Sequence, residues 1–464
     1  MTRKFDYDFI VIGGGSAGYQ AARTAVERGM KTAVVESARR LGGLCILRGC
    51  MPSKTLIHVA DVLHQARQAG RLGLEIPAAR ADMRAVQARK RRIIAEFARE
   101  RVAALESGRF DLFRHSARFR DATTLDLGRG KSLRARHFLI ATGSRVAVPP
   151  VPGLAELPFW TSDEVLGMEE IPASVIVLGG GVVACEMAQL LARLGSRVTV
   201  VQRGSHLLSG HSAEASAVVS QAFRDEGIAL FTGTSIRSIR HGKAGFSVRF
   251  EQDGRPVTRR AERLLNALGR MPATQRLDPA AAGVETRADG GIPTNRWQQS
   301  NVPHIYAAGD CTGPNDVVHL AVAQGELAVR HAAGESGLQP VASMPLLGVV
   351  FTDPAVATIG EREGELREKG APFLKASHAF SDHGKSLLME AGRGHATVLA
   401  DPRTGRLLGA EIVGRDAGEM IHCFTGPLAL KATADDLVRA PWYHPTLAEI
   451  LTYPLEEIAR RVSR

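Results

Sequence analysis

Short apolar runs that end in glycine recur along the first two thirds of the chain. Phe9-Ile10-Val11-Ile12 leads into Gly13-Gly14-Gly15-Ser16-Ala17-Gly18, and Ala21, Ala22, Ala25 and Val26 then repeat at helical spacing. Residues 31–35 form a second apolar run that closes on Glu36. Runs this short, bounded by turn residues, predict buried parallel strands, and the 3.6-residue repeat between them predicts a helix. The same order returns at residues 174–178, followed by Gly179-Gly180-Gly181-Val182-Val183-Ala184, a helix carrying Glu186, Leu190 and Leu194, and a strand at residues 197–201. Further strands are expected over residues 137–144, which close on Thr142 and Gly143, over 264–270, which contain Gly269, and over 304–310, which end in Gly309-Asp310. Residues 61–106 read as helical and densely charged, with an apolar stripe that includes Val86, Ile93, Ile94 and Phe97. The proline-rich residues 148–153 read as a linker. From about Leu347 the strands and helices continue without a glycine fingerprint, and the chain closes with His444-Pro445-Thr446-Leu447-Ala448-Glu449 and a short helix.

Strand, glycine turn, helix, strand and acid together are the signature of a dinucleotide site. The first glycine (Gly13, Gly179) makes the turn, and the second (Gly15, Gly181) lets backbone approach a pyrophosphate. The third position (Gly18, or Ala184 in the second copy) permits close helix packing. Glu36 stands where an acid binds a ribose hydroxyl. In the second copy Gln202 and Arg203 stand there instead. A carboxylate would repel a 2′-phosphate whereas arginine pairs with it, so this site leans toward NADPH or tolerance of both nicotinamides. Asp310 suits a polyol chain such as ribitol, or it caps the following helix.

Between the first dinucleotide unit and the charged helical region lies Gly42-Gly43-Leu44-Cys45-Ile46-Leu47-Arg48-Gly49-Cys50-Met51-Pro52-Ser53-Lys54. Two thiols this close can form a short-loop disulfide. A helix running from Pro52 through Lys54, Leu56, Val59 and Leu63 would place Cys50 at its positive end and favour a thiolate. Redox cycling, two free cysteines and half of a zinc site all fit the spacing, and the other cysteines (Cys185, Cys311, Cys423) are scattered. A lone histidine such as His444 is usually structural, but Glu449 is placed to orient it as a base.

Composition narrows the class. The 464 residues imply two to four domains, and 48 glycines fit an α/β protein rich in tight turns. Five cysteines in this length do not make a disulfide scaffold, which with no visible signal peptide predicts a cytoplasmic location. No apolar run is long enough to span a membrane. The net charge of +11 raises nucleic acid as a partner, but the arginines are dispersed and no recognition module is present, so nucleic acid and membrane are both excluded as partners.

Taken jointly, Cys45 to Cys50 with Lys54, the two fingerprints, residues 141–143, Gly309-Asp310 and His444 to Glu449 resemble the two-cysteine flavin disulfide reductases over nearly the whole length. That family includes dihydrolipoamide dehydrogenase, glutathione reductase and mercuric reductase. The resemblance implies an α/β fold with two Rossmann-like domains, for FAD and NAD(P), and an α+β C-terminal dimerisation domain. The boundaries expected are FAD domain 1–150, NAD(P) domain 151–271, FAD domain resumed 272–345, and dimer interface 346–464. It also implies roles. Cys50 is the flavin-side thiol, Cys45 the thiol that attacks the substrate, and Lys54 sits near the reactive flavin nitrogen, paired with Glu186. His444, oriented by Glu449, is the acid–base group supplied by the other subunit of a homodimer. The FAD set implied is Gly13, Gly15, Gly18, Glu36, Gly43, Lys54, Ala117, Thr142, Gly143, Asp310 and His319; the nicotinamide set is Gly179, Gly181, Gln202, Arg203 and Gly269. No metal is called for.

Within the family, retained His444 and the absence of a C-terminal cysteine pair favour a dihydrolipoamide dehydrogenase-like enzyme, as does His319 in Val318-His319-Leu320-Ala321. Its partner would be a dithiol or disulfide, such as a lipoyl group on a carrier protein. The region of Val182, Val183, Ala184 and Arg203 is similar to mercuric reductases, so an NADPH-dependent reductase of another disulfide, a metal ion or a quinone is the alternative. Leu44 and Ile46-Leu47-Arg48 depart from the family pattern. Arg48 either tunes the thiols or meets an anionic carrier, or is a surface charge.

Overall fold

A computed structural model describes residues 5–462. The chain divides into two compact units, one built from residues 1–56, 84–147 and 269–343, the other from 57–83, 148–268 and 344–464.

The first unit is organised on a parallel sheet. Strand β1 (Tyr7–Ile12) pairs with β2 (Thr32–Val35) on one side and with the strand Ser132–Ile140 on the other. Strand β3 (Asp111–Phe113) extends the β2 edge, and Ile305–Ala307, from beyond the 148–268 insertion, pairs with Phe138–Ile140. From Phe9 onward side chains alternate along β1: Ile10 and Ile12 enter one core with Phe138 and Ile140, while Phe9 and Val11 enter another with Leu139 and Tyr306. A sheet covered on both faces explains why these strands read as continuous apolar runs. Helix α1 (Ser16–Glu27) covers one face and meets the helix Val318–Ala332 closely. A Cβ on Gly325 would stand 2.3 Å from the Ala17 carbonyl oxygen, so only glycine allows this contact.

The expected helix over 61–106 is two helices. The first, α3, runs from Cys50 to Gln68; α4 runs from Met83 to Leu105, and residues 73–82 between them are not helical. Gly73 (φ +77°) and Pro77 interrupt the pattern there. The buried stripe of α4 is Gln87, Ile94, Ala98 and Leu105, whereas Phe97 is 52% exposed, contrary to the expected stripe.

The second unit holds a four-stranded parallel sheet with Ser174–Leu178 paired to Arg197–Val201 and to Arg263–Asn266, which repeats the topology of the first. It also contains a five-stranded antiparallel sheet formed by strands between Leu347 and Gly414. The helix Thr452–Val462 closes the description. Among the described residues no helix is long and apolar enough to cross a membrane.

Candidate active site

Both glycine turns are forced by the same steric fact. Gly13 (φ +108°) and Gly179 (φ +113°) approach the next parallel strand so closely that a Cβ would stand 2.3 Å from the Ala141 carbonyl oxygen and 2.4 Å from that of Ala267. A Cβ on Gly18 would stand 1.8 Å from the Gly13 oxygen, whereas one on Gly15 or Gly181 would meet nothing within 4 Å. The middle glycines thus border open space at helix N-termini, as a pyrophosphate requires.

The donor and acceptor set of the first unit fits FAD. Glu36 accepts from the Gly14 N–H at 2.8 Å through Oε2 and from the Ala38 N–H at 2.7 Å through Oε1, which fixes the carboxylate beside the turn. Thr142 Oγ1 is buried without a hydrogen-bond partner, a group waiting for a polar ligand. Gly143 (φ +70°) faces open space. Asp310 Oδ2 accepts from Ser144 Oγ at 2.6 Å, and that hydroxyl accepts from Arg270 Nε at 2.8 Å. Ala117 is partly buried against the core beneath the sheet, and His319 is exposed at the start of its helix.

The thiol stretch is fastened to the first fingerprint. Gly43 (φ +76°) lies against Gly15, where a Cβ would come within 2.7 Å of the Gly15 Cα. From Gly43 a short helix, α2 (Gly43–Arg48), carries Cys45; the chain breaks at Gly49, and Cys50 opens α3. A Cβ on Gly49 would meet the Cys45 Cα at 3.0 Å, so the break folds Cys50 back against Cys45. The expectation of a helix from Pro52 thus undercounts: both cysteines are helical. Their side chains are hydrogen-bonded to each other. Hydrogen bonding with Cys50, then burial, holds the Cys45 thiol well above its ordinary range. Lys54 follows Cys50 by one helical turn on the same face and is half-buried.

The unusual residues of this stretch have packing reasons. Ile46 is buried, and Leu47 packs over Gly42. Arg48 is exposed. The charge of Arg101 on α4 pulls the Cys45 thiol slightly downward, a smaller effect than Cys50 or burial, and sequence patterning did not single it out. Cys185 and Cys311 are buried, and burial pushes both thiols up, Cys311 to about 11. No group of three or more His, Cys, Asp or Glu among the described residues is placed to hold a metal.

In the second unit Gln202 packs its side chain against Gly180, Arg203 is exposed, and Gly181 caps the helix Val182–Leu194. Glu186 on that helix accepts from the Phe351 N–H at 3.1 Å. Gly269 (φ +116°), in the first unit, accepts from the Ala147 N–H at 2.9 Å. His444 Nδ1 lies 2.9 Å from both oxygens of Glu449. The carboxylate can only accept, so Nδ1 carries the proton and Nε2 is left as the base. Nearby, His383 is 2% exposed, bonded through Nδ1 to Ser386 Oγ at 2.8 Å, and lowered by burial first. Nothing in the local sequence marks His383; the Glu449 charge acts on it only because folding brings the two near each other.

Two dinucleotide folds, a juxtaposed thiol pair and a histidine–glutamate dyad define a nucleotide-linked dithiol oxidoreductase. The chain belongs to the pyridine nucleotide-disulphide oxidoreductase family, which it matches over residues 7–329, with that family's dimerisation domain over residues 346–454. The family is FAD-dependent and takes electrons from NAD(P)H. The chain is 31% identical to a mercuric reductase of Staphylococcus aureus over 97% of its own length and 82% of that protein's. It is 33% identical to a dihydrolipoyl dehydrogenase of Thermus scotoductus over 98% of both. Among solved structures, the HOCl-induced flavoprotein disulfide reductase RclA from Escherichia coli superposes with a TM-score of 0.85 at 25% identity, covering 97% of this chain and 99% of that one.

Proposed function

We propose that the protein is an NAD(P)H-linked dithiol/disulfide oxidoreductase of the dihydrolipoamide dehydrogenase kind, acting as a homodimer in which His444 serves the partner's thiols. The FAD domain is assigned to residues 1–150 and 272–345, the NAD(P) domain to 151–271 and the dimer interface to 346–464. The observation that carries the reading is the His444–Glu449 dyad, with Nδ1 at 2.9 Å from both carboxylate oxygens. A thiol exchange needs a base that takes a proton from one sulfur and returns it to another, whereas reduction of a metal ion does not.

FAD would supply hydride exchange with nicotinamide and two-electron exchange with the thiol pair. The Gly13–Gly18 turn, Glu36, Gly43, Thr142 and Asp310 would hold it. The chain's own residues perform the rest. Cys45 loses its proton to His444 and attacks one sulfur of the substrate disulfide. The S–S bond breaks, and the leaving sulfur takes the electron pair and then the proton from His444. Cys50 as thiolate attacks Cys45, forming the Cys45–Cys50 disulfide and releasing the second substrate sulfur as a thiolate, which takes its proton from solvent. The substrate gains two electrons and the pair loses two. Lipoyl oxidation is the same sequence reversed. Gln202 and Arg203 favour NADPH or both nicotinamides.

Steady-state turnover with lipoamide, a lipoylated protein, glutathione disulfide and Hg(II), each with NADH and NADPH, tests the reading. A disulfide or dithiol should turn over best and lose turnover in Cys45→Ser. Faster Hg(II) reduction, or disulfide turnover that survives Cys45→Ser, would overturn it.

A further inference from the structure

One cavity of the second unit has no part in the chemistry described so far. It has a volume of about 480 Å³ and lies where the strand Ser174–Leu178 begins, between Arg197 on one neighbouring strand and Arg263 on the other. The Gly179 turn follows the far end of that five-residue strand, roughly 16 Å away. Nucleotides sit beyond the carboxyl ends of such strands, so a cavity at the amino ends is not the nicotinamide site. Its wall is basic. Besides Arg197 and Arg263, Arg260 enters from the strand Arg255–Ala261, and His241 and Lys243 from the hairpin that joins Thr234–Gly242 to Gly245–Gln252. Three arginines and one lysine against one carboxylate, Glu262, leave three positive charges over. Glu262 is already engaged: Oε2 accepts from the Ala173 N–H at 2.8 Å, and Oε1 lies 3.4 Å from Arg263 Nη2. Arg197, Lys243 and Arg260 form no ion pair among the described residues. Arg263 is only partly satisfied, since its Nε is buried without a hydrogen-bond partner. The wall is also fixed in shape. A Cβ on Gly245 (φ +94°) would stand 2.4 Å from the Ala261 carbonyl oxygen, so the turn bearing Lys243 is pressed onto the strand bearing Arg260.

We propose that this cavity binds a small polyanion built on a chain of phosphate groups, inorganic or carried by a nucleotide, at a site separate from the Gly179 turn. A concavity lined by one sign of charge focuses its field and concentrates counter-ions, and this one falls within the size range of small-molecule sites. Guanidinium groups pair with phosphate oxygens two at a time, which favours phosphate as the anion. Arg197 and Arg263 flank the strand Ser174–Leu178 on opposite sides, so their Cα atoms stand roughly 10 Å apart, two strand spacings. A chain of phosphates engages both at once without the two side chains converging on one point. Nothing in this inference depends on the proposed activity.

The test is isothermal titration calorimetry on the holoenzyme, with NADP+ in excess to fill the nicotinamide site and ionic strength held constant. Tripolyphosphate is the probe in one arm and ATP in the other. One binding event per chain is expected. Arg260→Gln and Lys243→Gln should each weaken it about tenfold, the worth of one hydrogen bond to a charged group, and Lys243→Arg should keep it. Arg255→Gln removes an exposed arginine that lies outside the cavity, at the start of the strand that carries Arg260, and should leave binding unchanged. The arm that binds tighter names the source of the phosphate chain. No binding in either arm, or a loss in Arg255→Gln as large as in Arg260→Gln, as a diffuse basic surface would give, would overturn the proposal. Because no turnover is measured, the result is separate from that of the substrate panel.

Discussion

Arg193, in the second unit, is the charge whose removal should cost most. Its side chain is 2% exposed, and it holds three carboxylates. Nη1 donates to Asp61 Oδ1 at 2.6 Å, Nη2 to Glu226 Oε1 at 2.6 Å and Asp353 Oδ2 at 2.9 Å, and Nε to Glu226 Oε2 at 2.9 Å. Gln189 braces the same Glu226 at 2.8 Å. Arg193→Met keeps most of the aliphatic stem and leaves three acids facing one another. Breaking a buried pair from one side costs about 3–5 kcal/mol. Asp61 and Asp353 are 34% and 44% exposed, so water compensates part of the loss and the low end, about 3 kcal/mol, applies. For a body this large that is a fall in Tm of roughly 6 °C. The deficit should also depend on pH. Asp61 is already raised above the ordinary carboxylate range, burial outweighing the pull of Arg193. A raised folded-state value means the native state binds the proton more tightly, so that stability is present at low pH and lost as pH rises through the folded value. Removing Arg193 raises Asp61 further. The deficit should therefore be smaller near pH 5, about one unit above the ordinary aspartate value, than at pH 8. Thermal unfolding of the holoenzyme at the two pH values measures both effects. A loss under about 1 kcal/mol at pH 8, as for a surface pair, or a deficit that ignores pH, would refute the reasoning.

Glu449→Gln keeps the shape of the dyad but no longer enforces the proton on Nδ1. It should lower kcat for disulfide turnover by about 10²-fold, within the usual range for general acid–base catalysis, while NAD(P)H oxidation by ferricyanide stays at the wild-type rate. Arg203→Ala should lower kcat/KM for NADPH by about tenfold, the worth of one hydrogen bond to a charged group, with NADH unaffected. Equal losses for both nicotinamides would detach Arg203 from 2′-phosphate recognition.

What could be read from the sequence is what is local to it. Gly13, Gly15, Gly18 and Glu36 lie within one strand–turn–helix–strand unit, so spacing alone predicts their arrangement, and Gly14 N–H to Glu36 at 2.8 Å is its direct expression. His444 and Glu449 are five residues apart and bond to each other for the same reason. The break at residues 73–82 and the exposed Phe97 escaped because a charged, weakly periodic stretch carries no strong phase. Arg101 escaped for a different reason. On α4 it is one arginine among several, and what sets it apart is the Tyr19 ring, 82 positions earlier in the chain, which only the folded unit brings beside it. Arg48, three residues from Cys45, had the better claim by proximity along the chain; it is exposed at the end of α2. The glycines explain why local reading located the thiols but missed the charge that acts on them. Gly43 and Gly49 set where Cys45 and Cys50 stand through steric exclusion, which the sequence shows as glycine. How readily the Cys45 thiol ionises depends first on Cys50 and then on burial, with the Arg101 charge a smaller pull, and burial is made by the whole unit, so two chains with the same Cys45-to-Cys50 spacing need not react alike.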